Sequence, residues 1–101
     1  MPTYISLLRY TEEGVRTLRQ RRDFYFEPNQ NVFLPALGVT IKQFYMVMGQ
    51  YDAVAILEAP NDEAMAKAAL FLGRAGTVRT QTMRAFSEEE SNRIIDALPE
   101  G

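Results

Sequence analysis

Two apolar stretches flank the dipeptide Gly49-Gln50, and this pattern constrains the fold more than any other feature of the chain. The first stretch covers residues 39–48 and the second covers residues 51–59, and both consist mainly of aliphatic and aromatic side chains. Such runs, separated by a dipeptide that begins with glycine, are typical of a β-hairpin. Glycine at the first loop position supplies the positive φ that a type II′ turn requires. We therefore predict an antiparallel hairpin with a two-residue loop.

A two-residue loop also predicts the register, because it decides which residues stand opposite each other. One face of the predicted hairpin is mostly apolar, with small alanines, and suits packing against helices. Its pairs are Met48 with Tyr51, Met46 with Ala53, Phe44 with Ala55, and Lys42 with Leu57. The other face mixes polar and aliphatic side chains, which favours a ligand cavity over a core. Its pairs are Val47 with Asp52, Tyr45 with Val54, Gln43 with Ile56, and Ile41 with Glu58.

Further strands and helices are predicted on both sides of the hairpin. Residues 3–10 and 77–86 have the composition of strands. A helix is predicted over residues 12–22, after an N-cap at Thr11, and another helix after an N-cap at Asn61.

Ser87 and Glu90 have the spacing of a capping box, which predicts a last helix with a mainly apolar stripe. The segment 23–38 contains two prolines, and proline disfavours the interior of a helix. We therefore predict a break near Pro28 and a short helix over residues 31–37.

The order β-α-β-β-α-β plus a last helix predicts a single domain over residues 1–101. With short connections and right-handed crossovers, this order gives a ferredoxin-like α+β sandwich with a four-stranded antiparallel sheet and a C-terminal helix. The first and third strands are expected in the centre of the sheet. Helices are expected to cover one face and to leave the other face open.

The composition argues against several classes of function. The chain has no Cys and no His, which removes thiolate nucleophiles, the usual general base and the usual metal and haem ligands. We therefore expect neither a metal site nor a cofactor. The net charge of −2 argues against nucleic acid, and no apolar run reaches the roughly 18–20 residues of a membrane span. A cytoplasmic protein with no membrane partner is the expectation.

Asp52 is the leading candidate for a functional side chain, because Asp is depleted in strands. The predicted topology brings Tyr10, Asp52 and Arg79 to one end of the open face, where Tyr45 also lies. There Arg79 can act as a fork for a carboxylate or phenolic ligand, with Asp52 as acceptor or base. These two residues are the candidate catalytic pair, and a purely structural ion pair is the alternative. Tyr51 falls on the helix-packed face in this register.

Several segments also resemble the GYD domain family, small proteins of the dimeric α/β-barrel group. The resemblance rests on FY at 44–45, GQYD at 49–52, AVAILEAP at 53–60, NDE at 61–63, GTVRT at 76–80 and TMRAF at 82–86. It implies a homodimer through the open sheet faces, which enclose a cavity that some members use for small aromatic or polyketide-like substrates. The chain departs from the family over residues 21–37, where relatives tend to have a continuous charged helix.

The expected function is the binding of a small organic molecule in the cavity under the open face, with a cofactor-free enzyme as one form of it. The alternative is a non-enzymatic ligand-sensing or protein-interaction module. RNA binding ranks last, although RNA-recognition motifs share the strand order, because the third strand lacks their aromatic signature. The sequence does not identify a substrate.

Overall fold

The computed structural model describes residues 1–26 and 33–101. The elements in these two ranges are β1 (Thr3–Tyr10), α1 (Glu12–Arg16), α2 (Leu18–Phe26), α3 (Phe33–Ala36), β2 (Thr40–Met46), β3 (Ala53–Glu58), α4 (Asp62–Arg74), β4 (Val78–Ala85) and α5 (Glu88–Asp96). No helix in the described ranges has the length and the apolar character needed to cross a membrane.

The strands form one antiparallel sheet in the order β2-β3-β1-β4. The first and third strands are central, as predicted, and α4 packs against β4 on one face. This architecture confirms the α+β class and is that of a ferredoxin-like sandwich with an added C-terminal helix.

The core lies between the helices and one face of the sheet. Its buried apolar residues are Tyr4, Leu8, Leu34, Val39, Ala53, Ala55, Leu57, Ala59, Met65, Ala68 and Val78. In β1 every second residue from Tyr4 to Leu8 is buried, because side chains alternate between the two faces of a strand. The alanines of β3, Ala53 and Ala55, are buried on the same face. Burial of each large side chain contributes roughly 1.5–3 kcal/mol to stability.

The hairpin forms, but its loop is longer than predicted. β2 ends at Met46 and β3 begins at Ala53, and the Val47 N–H donates to the Asp52 carbonyl at 2.9 Å. Neither strand extends to the dipeptide Gly49-Gln50. The prediction of a two-residue loop is therefore wrong. Gly49 does have the predicted positive φ, at 119°.

The predicted register holds near the loop and fails at the far end of β2. The pairs from Met46 with Ala53 to Gln43 with Ile56 are confirmed. Beyond them the register shifts between Ile41 and Gln43, so that Ile41 is opposite Leu57 instead of Lys42. Thr40 consequently takes the predicted place of Ile41, opposite Glu58.

This β-bulge has a clear physical effect. It lets Ile41 pack against the core and leaves Lys42 exposed, with its ammonium 3.7 Å from a carboxylate oxygen of Glu58. An unbulged strand would have turned the charged Lys42 toward the helices, where burial without a partner is costly.

The first predicted helix is interrupted. Residues 12–22 were expected to form one helix, whereas α1 ends at Arg16 and α2 begins at Leu18. The Thr17 hydroxyl donates to the Glu13 carbonyl at 2.9 Å, a side-chain bond that competes with helical geometry. The predicted break near Pro28 lies outside the described residues, and α3 forms the described part of the helix expected over residues 31–37.

Candidate functional site

The sheet face that points away from the helices is called the open face. Its central residues are Ile5, Leu7, Val54 and Ile56, all only partly buried. The register arranges the face in two transverse rows, Gln43-Ile56-Ile5-Met83 and Tyr45-Val54-Leu7-Gln81. An apolar centre thus lies between more polar edges.

Tyr51 lies on the open face, which corrects the prediction that it packs against the helices. Its hydroxyl donates to Oε1 of Gln81 at 2.6 Å, and Gln81 is opposite Leu7. The Arg9 guanidinium lies 5.5 Å from the centroid of the Tyr51 ring, within the range of a cation–π contact. Arg9 also donates two hydrogen bonds to the Gln50 carbonyl, at 2.9 and 3.2 Å.

The reversal of Tyr51 has a local cause at the start of β3. Leu8 has Ala53 as its Cα partner, yet its carbonyl accepts a hydrogen bond from the Asp52 N–H at 2.8 Å. Two consecutive residues therefore oppose Leu8, as in a β-bulge. One extra residue sends the preceding side chain to the opposite face, and this is why Tyr51 is on the open side.

Asp52 contacts the backbone of Tyr10, whose side chain packs against the core and not on the open face, where it was predicted. Oδ2 of Asp52 accepts a hydrogen bond from the Tyr10 N–H at 2.8 Å. The Tyr10 side chain packs against the core, and its pKa is raised by burial and further by the charge of Asp52. The Asp52 carboxylate thus accepts the hydrogen bond of the last main-chain N–H of β1, where the hydrogen bonding between β1 and β3 ends.

Arg79 lies nearby and donates to a different part of the chain. Its Cα partner is Arg9, but its Nη1 donates to the carbonyls of Gly73 and Val78 at 3.1 and 3.2 Å. Gly73 is in the last turn of α4, where the negative end of the helix dipole attracts a cation. Across residues 1–26 and 33–101, the ion pairs do not include one between Asp52 and Arg79. A ligand held by both residues stays a prediction.

Tyr45 begins a feature that the sequence interpretation missed. The hairpin tip, defined as the residues Tyr45, Met46, Val47 and Met48, is a run of exposed apolar side chains. Their exposed fractions are 53%, 71%, 38% and 99%. The predicted register had assigned Met46 and Met48 to the helix-packed face. A signal was present, since residues 43–51 contain no charged side chain.

A second polar cluster lies at the edge of the sheet, on the helix side. The Tyr4 hydroxyl donates to Asp62 at 2.5 Å, and Arg84 forms a 2.8 Å ion pair with Glu90. Arg84 also lies 4.7 Å from the centroid of the Phe86 ring. A groove of about 260 Å³ between α4 and β4 is lined partly by Asp62 and Arg84. Asp62 is thus paired with Tyr4, and Arg84 with Glu90, within the same chain.

Asp52 and Arg79 both bond to main-chain atoms. Within the described parts of the chain, no group of three acidic, Cys or His side chains is arranged to hold a metal ion. The open face and the hairpin tip are two exposed apolar surfaces of the described chain.

Comparison with known proteins assigns the chain to a family. The GYD domain model matches residues 4–95. A relative from Thermus thermophilus, the "glutamine synthetase and cystathionine beta-lyase binding protein", is 36% identical over 86 residues, which cover 85% of this chain and 90% of the relative. No solved structure gives a significant match. The chain is a member of the GYD domain family.

Proposed function

We propose that this protein is a non-enzymatic interaction module that binds another protein, and that the hairpin tip is its docking surface. The observation that carries the proposal is the run of four consecutive exposed apolar residues from Tyr45 to Met48. Such runs are rare on the surfaces of folded domains unless they serve a function, because they promote non-specific association.

The composition of the hairpin tip suits a protein partner. Methionine is flexible and polarizable, so Met46 and Met48 can adapt to an irregular apolar surface. Tyrosine and methionine are also enriched in protein interfaces, where charged residues are depleted at the centre. Gln43 and Gln50 flank the tip and supply a polar border.

The relative from Thermus thermophilus supports a protein partner, since its name states that it binds two enzymes. We extend the class of partner to this chain and propose that it binds a glutamine synthetase or a cystathionine beta-lyase. Binding by apolar contact needs no catalytic group, which agrees with the hydrogen bonding of Asp52 and Arg79 to the main chain.

The open face supports a second proposal, the homodimer. Ile5, Leu7, Val54 and Ile56 form a contiguous aliphatic patch that is only partly buried in the single chain. A second copy that covers this patch would remove it from water, a gain of roughly 25 cal/mol per Å² of apolar area. Sedimentation velocity tests this proposal, and a monomer at micromolar concentration contradicts it.

Surface plasmon resonance with purified glutamine synthetase and cystathionine beta-lyase from the same organism tests the interaction proposal. We expect the double variant Met46→Ser/Met48→Ser to bind at least about tenfold more weakly. Two anchors of about 1 kcal/mol each give about 2 kcal/mol, which is more than the roughly 1.4 kcal/mol of a tenfold change. Leu70→Ser is the matched control, because Leu70 is a 74% exposed apolar side chain on α4, away from the tip.

The outcomes test the identity of the partner and the position of the docking surface separately. Binding of the wild-type chain to either enzyme, weakened by the tip variant and not by the control, supports the whole proposal. Equal binding by the tip variant excludes the hairpin tip as the docking surface. Failure of the wild-type chain to bind either enzyme excludes these two partners.

A further inference from the structure

The sulfur atoms of this chain differ widely in their exposure to water. The chain has five methionines and no cysteine, so its sulfur chemistry is that of thioether groups alone. Met48 and Met46 are 99% and 71% exposed, Met1 at the terminus is 68% exposed, and Met83 is 40% exposed. Met65 is buried in the core. Because an oxidant has to reach the sulfur atom, we expect Met48 and Met46 to react readily and Met65 to be protected.

The hairpin tip holds two of the exposed thioethers close together. Met46 is the last residue of β2 and is opposite Ala53, and Met48 follows it in the loop. The two methionines are the most exposed of the four tip residues. Residues 43–51 contain no charged side chain. The apolar character of the tip therefore depends strongly on the chemical state of these two sulfur atoms.

A peroxide converts methionine to methionine sulfoxide by transferring one oxygen atom to sulfur. With hydrogen peroxide, the sulfur lone pair attacks one oxygen, an S–O bond forms and the O–O bond breaks. The proton on the transferred oxygen passes to the leaving hydroxide, which departs as water. The sulfur loses two electrons and the peroxide gains them. The thioether carries no proton, so the reaction needs no neighbouring base.

The sulfoxide changes binding more than folding at these two positions. Its oxygen is polar and is hydrated in the free chain, and an apolar interface would take it out of water without a hydrogen-bond donor, which is unfavourable. The core cluster contains neither Met46 nor Met48, so their oxidation leaves the packing of the domain intact. Oxidation of Met65 would instead place a polar group inside the core.

We propose that Met46 and Met48 form a reversible oxidation site, and that their conversion to sulfoxides by a peroxide switches docking off. The proposal rests on the docking function proposed above for the hairpin tip and adds its regulation. Methionine sulfoxide reductases restore the thioether. In that step two thiols become a disulfide and the sulfoxide oxygen leaves as water.

Limited treatment of the full chain with hydrogen peroxide tests the proposal, with the peroxide removed before glutamine synthetase or cystathionine beta-lyase is added. Peptide mass spectrometry locates each added oxygen atom, and surface plasmon resonance measures binding. We expect sulfoxides at Met46 and Met48 at a dose that leaves Met65 unmodified, and binding at least about tenfold weaker. Incubation with methionine sulfoxide reductases and dithiothreitol should restore the affinity.

Two variants separate the hairpin tip from the other methionines, each compared with itself before and after peroxide. Met46→Leu/Met48→Leu keeps apolar side chains of similar volume and removes both tip sulfurs, so peroxide should leave its own affinity unchanged. Met83→Leu keeps both tip methionines and should lose affinity on oxidation as the wild-type chain does. Thermal denaturation of the oxidised wild-type chain checks that the fold is retained.

The outcomes distinguish the switch from the docking itself. A reversible loss of binding in the wild-type chain and Met83→Leu, absent from the tip variant, supports the switch. Unchanged binding after oxidation of Met46 and Met48 overturns the switch while docking stands. The same loss in the tip variant assigns the effect to another methionine and also overturns the switch, as does oxidation of Met83 before the tip. A reduced wild-type chain that binds neither enzyme overturns the proposed partners and the switch together.

Discussion

The carboxylate of Asp52 accepts a 2.8 Å hydrogen bond from the main-chain N–H of Tyr10. Tyr10 is the last residue of β1, and its amide has no place in the ladder with β3, which begins only at Ala53. The side chain of Asp52 replaces the missing carbonyl. An acidic residue at the start of a strand thus has a structural reason in this fold.

Asp52→Ala is expected to lower the free energy of unfolding by about 1–3 kcal/mol, because it leaves a partly buried N–H without its acceptor. Asp52→Asn keeps an acceptor oxygen and is the matched control, with a smaller expected loss. Urea denaturation measures both. Unchanged stability in Asp52→Ala would mean that the hydrogen bond does not hold β1, and would favour the ligand-binding role predicted from the sequence.

The order of elements and the central strands followed from the sequence because they depend on composition and spacing. The apolar runs, the N-caps at Thr11 and Asn61 and the capping box at Ser87 are local signals, and the structure contains all of them. Each cap depends on one side chain and the next turn of helix, so no distant contact is needed to predict it.

The candidate site depended on register, which distant contacts decide. Two extra residues, one at Lys42 and one at the start of β3, moved Ile41 and Tyr51 to faces opposite to those predicted. The alternation of apolar and polar residues fits a strand equally well with and without a bulge, so periodicity alone does not reveal the extra residue. The partners of Asp52 and Arg79 were not predictable either, since main-chain carbonyls and amides leave no trace in the sequence pattern.

Glu90 is expected to titrate far below an ordinary glutamate. The hydrogen bond from the Ser87 N–H, and then the ion pair with Arg84, lower the pKa of Glu90 to about 2. Because the folded pKa is depressed, Glu90 stabilises the helix start above its unfolded pKa near 4.5. This contribution is lost as the pH falls toward about 2.

NMR titration of the Glu90 carboxyl carbon measures this pKa directly. Arg84→Met is expected to raise the midpoint, since it removes the ion pair and leaves the Ser87 hydrogen bond in place. A wild-type midpoint near 4.5, or a midpoint that Arg84→Met leaves unchanged, contradicts the assigned contacts.

Gly14 is expected to tolerate no side chain. A Cβ at this position would lie 1.9 Å from the carbonyl oxygen of Thr77, a backbone atom that cannot move aside. Gly14→Ala should therefore cost about 3 kcal/mol or more, at or beyond the upper end of overpacking penalties. Gly73→Ala is the control, because Gly73 is helical and a Cβ there meets nothing within 4 Å.

Thermal denaturation compares the two glycine variants. Gly73→Ala is expected to stabilise α4 by about 0.5–1 kcal/mol, because alanine loses less backbone entropy in a helix. Similar melting temperatures for the two variants would show that α1 does not approach Thr77 as closely as the structure indicates.

Tyr51 joins the hairpin loop to β4 across the open face, and its two contacts can be separated. Tyr51→Phe removes the hydroxyl bond to Gln81 and keeps the ring near Arg9, so the expected loss of stability is about 0.5–1 kcal/mol. Tyr51→Leu removes the ring as well and should cost about 0.5–1 kcal/mol more. Urea denaturation gives the energies, and nuclear Overhauser contacts from the Tyr51 ring to the side chains of Arg9 and Gln81 give the geometry. Contacts from this ring to Met65 of α4 instead would show that Tyr51 lies on the helix-packed face. The bulge before β3, which places Tyr51 on the open face, would then be absent.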